Sequence, residues 1–226
     1  MSSGHQVESR APLLDLSAEE LLMTTRAVRK RLDFERPVAR EVLRECVAVA
    51  LQAPSGSNRW GMQFVIVTDP GQRRALGELY RASYEIYRSQ PGVYIGSIDK
   101  GDPALNAQQQ RTTQSADFLG EHMGDAPALL VACIPGRATE PLRATMMMGS
   151  VMPGVWSFML AARLRGLGTS WSSVHLFKEQ EAAELLGIPY DQITQVCLTP
   201  VAYTKGTSFK PALRPDPDEV IHWDRW

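Results

Sequence analysis

Ala128-Leu129-Leu130-Val131-Ala132-Cys133-Ile134 is a nearly continuous apolar run opened by Pro127. A strand with one wet face alternates apolar and polar residues, whereas a strand covered on both faces does not, so this run reads as the centre of a sheet. Two other segments read as its partners. Gln63-Phe64-Val65-Ile66-Val67-Thr68 is rich in β-branched residues and stops at Asp69-Pro70-Gly71. The segment Gln195 to Tyr203 follows Gly187-Ile188-Pro189, the glycine and proline expected just past the end of a short helix over residues 178–186.

Between these strands the spacing turns helical. Ser17 and Glu20 make a capping box before Leu21, Leu22 and Met23. From Val38 to Ala53, apolar Val42, Leu43, Cys46, Val47, Ala50 and Leu51 recur at helical spacing, until Pro54-Ser55-Gly56-Ser57-Asn58 breaks the pattern. Leu76, Leu79, Tyr80, Ser83 and Tyr87 predict a third helix, and Val155 to Leu164, apolar around most of its circumference, a buried fourth. Gln90 to Asn106 has no clear period and reads as a lid or a segment of variable conformation. Helices outnumber strands, which leaves α+β and α/β open.

The 226 residues, 44 % of them hydrophobic, suit one compact domain, expected over 16–226 behind a flexible segment 1–15. Lys plus Arg number 24 against 25 Asp plus Glu, so no global basic field is available for nucleic acid or an anionic membrane, and any anion site must be local. Cys46, Cys133 and Cys197 are far apart and lie in apolar segments, as small buried hydrophobes do. With no signal-like N-terminus and no uninterrupted apolar run near ~18 residues, the expectation is a soluble, cytoplasmic protein.

Four segments could carry chemistry, and each has a plainer reading. Arg26-Ala27-Val28-Arg29-Lys30-Arg31 places four cations within six residues, either a phosphate grip or a solvated basic face. Pro54 to Asn58 brings backbone donors and hydroxyls to a tight turn, or simply ends a helix. Gly166-Leu167-Gly168-Thr169-Ser170-Trp171-Ser172-Ser173 permits close backbone approach to a ligand, or merely caps a helix and starts a strand. Lys210 and Arg214 sit in a proline-bearing tail that ends in Trp223 and Trp226, two large apolar side chains that need a receiving surface. The chain has no HExxH, GxSxG, GxxxxGK[ST] or GxGxxG pattern, so zinc-hydrolase, serine-hydrolase, P-loop and Rossmann readings lack support.

In this order, Thr25-Arg26-Ala27-Val28-Arg29, Ala53 to Asn58, Gly166 to Thr169 and the final Arg214-Pro215 resemble the FMN-dependent nitroreductase family, over about Leu21 to Trp226. The stretches TTRAVRKRLDF and LQAPSGSN and the closing HW-x-x-W are particularly similar to actinobacterial NAD(P)H nitroreductases. The resemblance implies an α+β fold with a mixed, largely antiparallel sheet. It also implies an intertwined homodimer with FMN in the cleft between subunits and the C-terminal tail embracing the partner. It assigns Arg26, Ala27 (through its backbone), Arg29 and Arg214 to the flavin. Pro54, Ser55, Gly56, Ser57 and Asn58 would pack along the flavin of the other subunit, and Trp171, Ser172 and Ser173 would lie near its reactive edge. Three departures stand out: Ala27 replaces a usual serine, Asn58-Arg59-Trp60-Gly61-Met62 replaces Asn-x-Gln-Pro-Trp, and Ala212 replaces a frequent lysine whose charge Lys210 would supply.

The activity implied is ping-pong hydride transfer from NADPH or NADH, through flavin N5, to nitroaromatics, quinones or similar small electron-poor acceptors, without a side-chain catalytic acid or metal. The alternatives are an ene or imine reductase or dehydrogenase of one metabolite, and a non-catalytic FMN-binding or storage protein.

Overall fold

The computed structural model describes residues 12–226. The expected flexible segment 1–15 therefore falls largely outside the described residues. In its described part, the Leu14 N–H donates to the Leu164 carbonyl at 2.6 Å.

Six helices and five strands alternate irregularly along the described chain. They are α1 (Ala18–Thr24), β1 (Leu32–Asp33), α2 (Arg40–Ala50), β2 (Gln63–Val67), α3 (Pro70–Arg88) and α4 (Pro103–His122). There follow β3 (Ala128–Pro135), α5 (Pro141–Leu164), β4 (Leu167–Thr169), α6 (Glu179–Leu186) and β5 (Ile193–Thr204). The strands form one sheet in the order β1-β5-β3-β2, with β4 also on β5. Every strand pair is antiparallel, and the one parallel element among the described residues is the bridge between Ala27 and Thr169. The fold is α+β, as the resemblance implied.

The apolar run of β3 explains itself in this setting. Ala128, Leu130, Ala132 and Ile134 enter a core with α2 and α5, while Leu129, Val131 and Cys133 enter a second core with α3 and α6. Successive strand side chains point to opposite faces, so a strand with helices on both sides needs apolar residues at every position. The three thiols lie in these cores, and burial pushes Cys46 up to about 11 and Cys133 and Cys197 up to about 12.

The helix ends follow local chemistry. At α1, the Ser17 hydroxyl accepts from Glu20 N at 3.1 Å and the Glu20 carboxylate accepts from Ser17 N at 2.8 Å. Asp69 caps α3 by accepting from Gln72 N at 2.8 Å, and Asp102 caps α4 by accepting from Leu105 N at 2.9 Å, each followed by proline at the first helical position. Gly187 ends α6 in the left-handed region at φ 67°. The sequence reading found the α1 capping box and the α6 stop, took Asp69-Pro70-Gly71 as the turn after a strand, and did not find the start of α4. Residues 103–106 open that helix instead of closing an irregular connection.

α5 has the length and apolarity of a membrane span. Val151, Val155, Phe158, Met159 and Ala162 are buried in the core it shares with the sheet, which is how the central helix of a folded domain reads. Its other face remains exposed, with Leu142 at 74 % and Met146 at 66 %.

Candidate functional site

The basic segment after α1 is fixed against the sheet by backbone. Val28 N donates to Thr169 O at 2.8 Å, which joins the arginine segment to the Gly166–Ser173 segment. Gly168 allows the approach, because a Cβ there would lie 2.9 Å from the Val28 Cβ and 2.8 Å from the Thr204 Cγ2. Ser172 is held in turn by two backbone bonds with Leu198, of 3.0 and 2.8 Å.

The C-terminal arm is anchored by Arg31. Its guanidinium donates to the carbonyls of Lys205 (3.1 Å), Gly206 (2.7 Å) and Ser208 (3.0 Å). It also lies 4.2 Å from the centre of the Phe209 ring, and the buried Arg163 lies 4.7 Å from that same ring centre. Three carbonyl acceptors and a shared aromatic face fix the base of the arm. From there Pro211, Ala212, Leu213 and Arg214 turn over a cavity.

That cavity, of about 700 Å³, is lined by Arg26, Ala27, Arg29, Lys30 and Arg31 from the first segment, by Lys100 and Arg111, and by Arg214 from the arm. Seven cations thus face one space, and among the described residues no carboxylate lines it. In a chain with 24 basic and 25 acidic side chains, such segregation makes a strong local anion site. None of the seven takes part in a salt bridge among the described residues.

Arg29 also lines a second cavity, of about 220 Å³, with Trp171, Ser172, Ser173 and Tyr80, Tyr84 and Tyr87 of α3. Burial pulls the Arg29 guanidinium below its ordinary range, partly countered by those three tyrosines. Arginine still holds its proton near neutrality, so its partial desolvation is an unfavourable energy that a bound anion would relieve. The Tyr80 hydroxyl and the Ser172 hydroxyl are 2.8 Å apart, and burial pushes Tyr80 up to about 12, so it acts there as a neutral phenol. Asp117 accepts from the hydroxyls of Tyr84 (3.0 Å) and Tyr94 (2.9 Å), tying the residue 90–102 connection to α4.

Of the residues singled out from sequence, Arg26, Ala27, Arg29 and Arg214 line the large cavity, and Arg29, Trp171, Ser172 and Ser173 the smaller one. Lys210 is exposed and lines neither. Pro54 to Asn58 also line neither and sit beside α5, where Gly56 N donates to the Ser150 hydroxyl at 3.1 Å. This turn is strained, with Ser57 and Asn58 at φ 53° and Trp60 at φ 47°, a region costly for residues other than glycine. Sequence reasoning missed the α4 wall of the large cavity, including Arg111, Gln108, Thr112 and Ser115. The signal for it was Asp102-Pro103, the same cap-and-proline start that announces α3.

Comparison with known proteins agrees with this architecture. Iodotyrosine deiodinase, solved with FMN and 3-iodo-L-tyrosine, is similar with a TM-score of 0.69 at 19 % identity, covering 92 % of this chain and 99 % of that one. A variant of the FMN- and NADPH-dependent nitroreductase NfnB from Sphigopyxis sp. strain HMH is similar with a TM-score of 0.67 at 24 % identity, covering 93 % and 100 %. NfrA2 of B. megaterium gives 0.65 at 18 % identity, covering 91 % and 73 %. At these identities the likeness is one of fold. The model of the Nitroreductase family itself matches residues 22–203, a span holding the arginine segment, the Pro54–Asn58 turn and the Gly166–Ser173 segment, and the chain belongs to the nitroreductase family.

Proposed function

We propose that the protein is a homodimeric, FMN-dependent oxidoreductase that takes reducing equivalents from NADPH or NADH and passes them to small electron-poor acceptors such as nitroaromatics or quinones. The observation that carries this reading is the carboxylate-free cavity where the arginine segment and the C-terminal arm meet, joined through Arg29 to the Trp171–Ser173 segment.

The residues fit the cofactor. A phosphomonoester carries about −1.5 to −2 charges at neutral pH, and Arg26 and Arg214 offer forked donors from two sides of the chain that the fold brings together. Arg29, half-buried and without a carboxylate partner among the described residues, supplies positive charge where the flavin ring gains negative charge on reduction. Bound FMN supplies the hydride and electron transfer chemistry. The chain's own part is to hold the phosphate, orient the ring against the Trp171–Ser173 segment and narrow the space in which water can compete.

A second subunit completes the site in this reading. The Pro54–Asn58 turn lies beside the exposed apolar face of α5, together with Leu142, Met146, Met152, Trp156 and Trp60. A patch of this kind on a folded domain marks an association surface, and a two-fold contact there would carry the strained turn toward the other subunit's cavity. Trp223 at 80 % and Trp226 at 100 % exposure would find cover on the same partner.

An anaerobic visible spectrum of the purified protein tests the reading, recorded before and after NADPH, then NADH, then a nitroaromatic. The expected result is a flavin band that bleaches with nicotinamide and returns with the acceptor. Protein that cannot be reconstituted with FMN overturns the reading, and bound flavin that neither nicotinamide bleaches favours a binding protein without turnover.

A further inference from the structure

The flavin reading leaves three cations of the large cavity without a role: Lys30, which neighbours Arg29 in the arginine segment, and Lys100 and Arg111. Lys100, from the connection between α3 and α4, and Arg111, on α4, reach the cavity from elements other than those that bring Arg26, Arg29 and Arg214. Arg31 is engaged with the carbonyls of the arm. Lys100 and Arg111 are exposed, and neither forms a salt bridge among the described residues.

The wall around Arg111 is built for a polar guest. Gln108, Arg111, Thr112 and Ser115 recur at three- and four-residue spacing, so one face of α4 turns only hydrogen-bonding side chains and one guanidinium to the cavity. A helix face against a dry core would be apolar, and a face given only to solvent would be interleaved with acids, as the near-neutral composition of the chain allows. Asp216 and Glu219 line an adjoining cavity of about 510 Å³ with Lys100 and Arg214, and form no salt bridge with either. The positive charge on the large cavity therefore exceeds what one phosphomonoester neutralises.

We infer that Lys100 and Arg111 form a second anion subsite, which receives a phosphate or carboxylate carried by the reactant that enters beside the flavin. The inference rests on the flavin reading for its first anion. Two reactants carry this chemistry: the nicotinamide dinucleotide, through its phosphates, and an acidic acceptor, through its carboxylate. Because both cations are exposed, the affinity they confer falls as salt rises.

The test compares the FMN-loaded protein with its Lys100→Ala/Arg111→Ala double variant by calorimetric titration with adenosine 2′,5′-bisphosphate. Steady-state KM values for 4-nitrobenzoate and the neutral 4-nitrobenzamide complete the comparison. The double variant should lose about tenfold or more in affinity for one anionic probe, about 1.4 kcal/mol, with 4-nitrobenzamide and FMN affinity unchanged. Loss confined to the bisphosphate assigns the subsite to the nicotinamide, and loss confined to nitrobenzoate assigns it to the acceptor. Unchanged affinity for both anions overturns the inference, as does an equal loss of FMN affinity, which would place the two cations in the flavin site. Flavin titration of the wild-type protein tests the FMN reading separately, so the two can fail independently.

Discussion

The backbone N–H of Val28 lies 2.8 Å from the Thr169 carbonyl, and this bond joins segments more than a hundred residues apart. It turns the arginine segment and the Gly166–Ser173 segment into neighbouring walls. Gly168 sets the spacing, since a methyl group there would press on Val28, Leu32 and Thr204 at 2.8 to 2.9 Å. Gly168→Ala should destabilise the protein by about 1–3 kcal/mol through overpacking and weaken FMN binding with it. Urea unfolding and flavin titration of the variant check both effects, and an unchanged midpoint would refute the close-approach argument.

Arg26 and Arg214 line the same cavity from opposite ends of the sequence. With each charge-assisted bond contributing about 1.5–3 kcal/mol, Arg26→Ala and Arg214→Ala should each weaken FMN binding by roughly 10- to 100-fold. Lys210→Ala should change it by less than about twofold, because Lys210 is exposed and lines neither cavity. Fluorescence titration of the three variants separates these outcomes, and a Lys210 effect as large as that of Arg214 would restore Lys210 to the site.

Arg31 fastens the C-terminal arm through three carbonyls. Arg31→Ala should release it, seen as faster tryptic cleavage after Lys205, the one basic residue of the 205–214 stretch not followed by proline, while the thermal midpoint moves by only a few degrees. Cleavage at the wild-type rate would show that the arm is held by other contacts.

Met146 and Trp156 lie on the exposed face of α5. Met146→Asp should give a monomer in sedimentation analysis, with FMN affinity lost even though none of the cavity residues of that chain has changed. A monomeric wild type, or a monomeric variant that holds FMN normally, would argue against a site shared between subunits.

His175 is fully buried, and neither ring nitrogen has a hydrogen-bond partner among the described residues. Burial depresses it to about 4, against opposing contributions from Glu179 and Gln195. Between that value and the ordinary 6.5, the unfolded chain binds the proton and the folded one does not, so stability is present above about pH 6.5 and is lost as pH falls toward 4. The loss attributable to His175 is up to about 3 kcal/mol. Unfolding midpoints at pH 7.5 and pH 5 should therefore differ less in His175→Phe than in the wild type, and identical pH dependences would exclude His175 as the source.

The sequence by itself determined the elements whose cause is local. The capping box of Ser17 and Glu20, the Asp69-Pro70 start of α3, the glycine stop at Gly187 and the unbroken apolar run of β3 all rest on interactions within a few residues or on the pattern of burial. It also held the order of the motifs that match the nitroreductase family. It did not show α4, whose Gln- and Thr-rich faces give no clear apolar period because one of them turns to a cavity. Nor did it show that Lys100 and Arg111 share that cavity with Arg26 and Arg214, or that Lys210 does not. Those are facts of proximity between distant parts of the chain. Charge and hydrogen-bonding capacity can be read from a side chain, but the neighbours that decide its use exist only once β4 and β5 have brought the two ends of the sequence together.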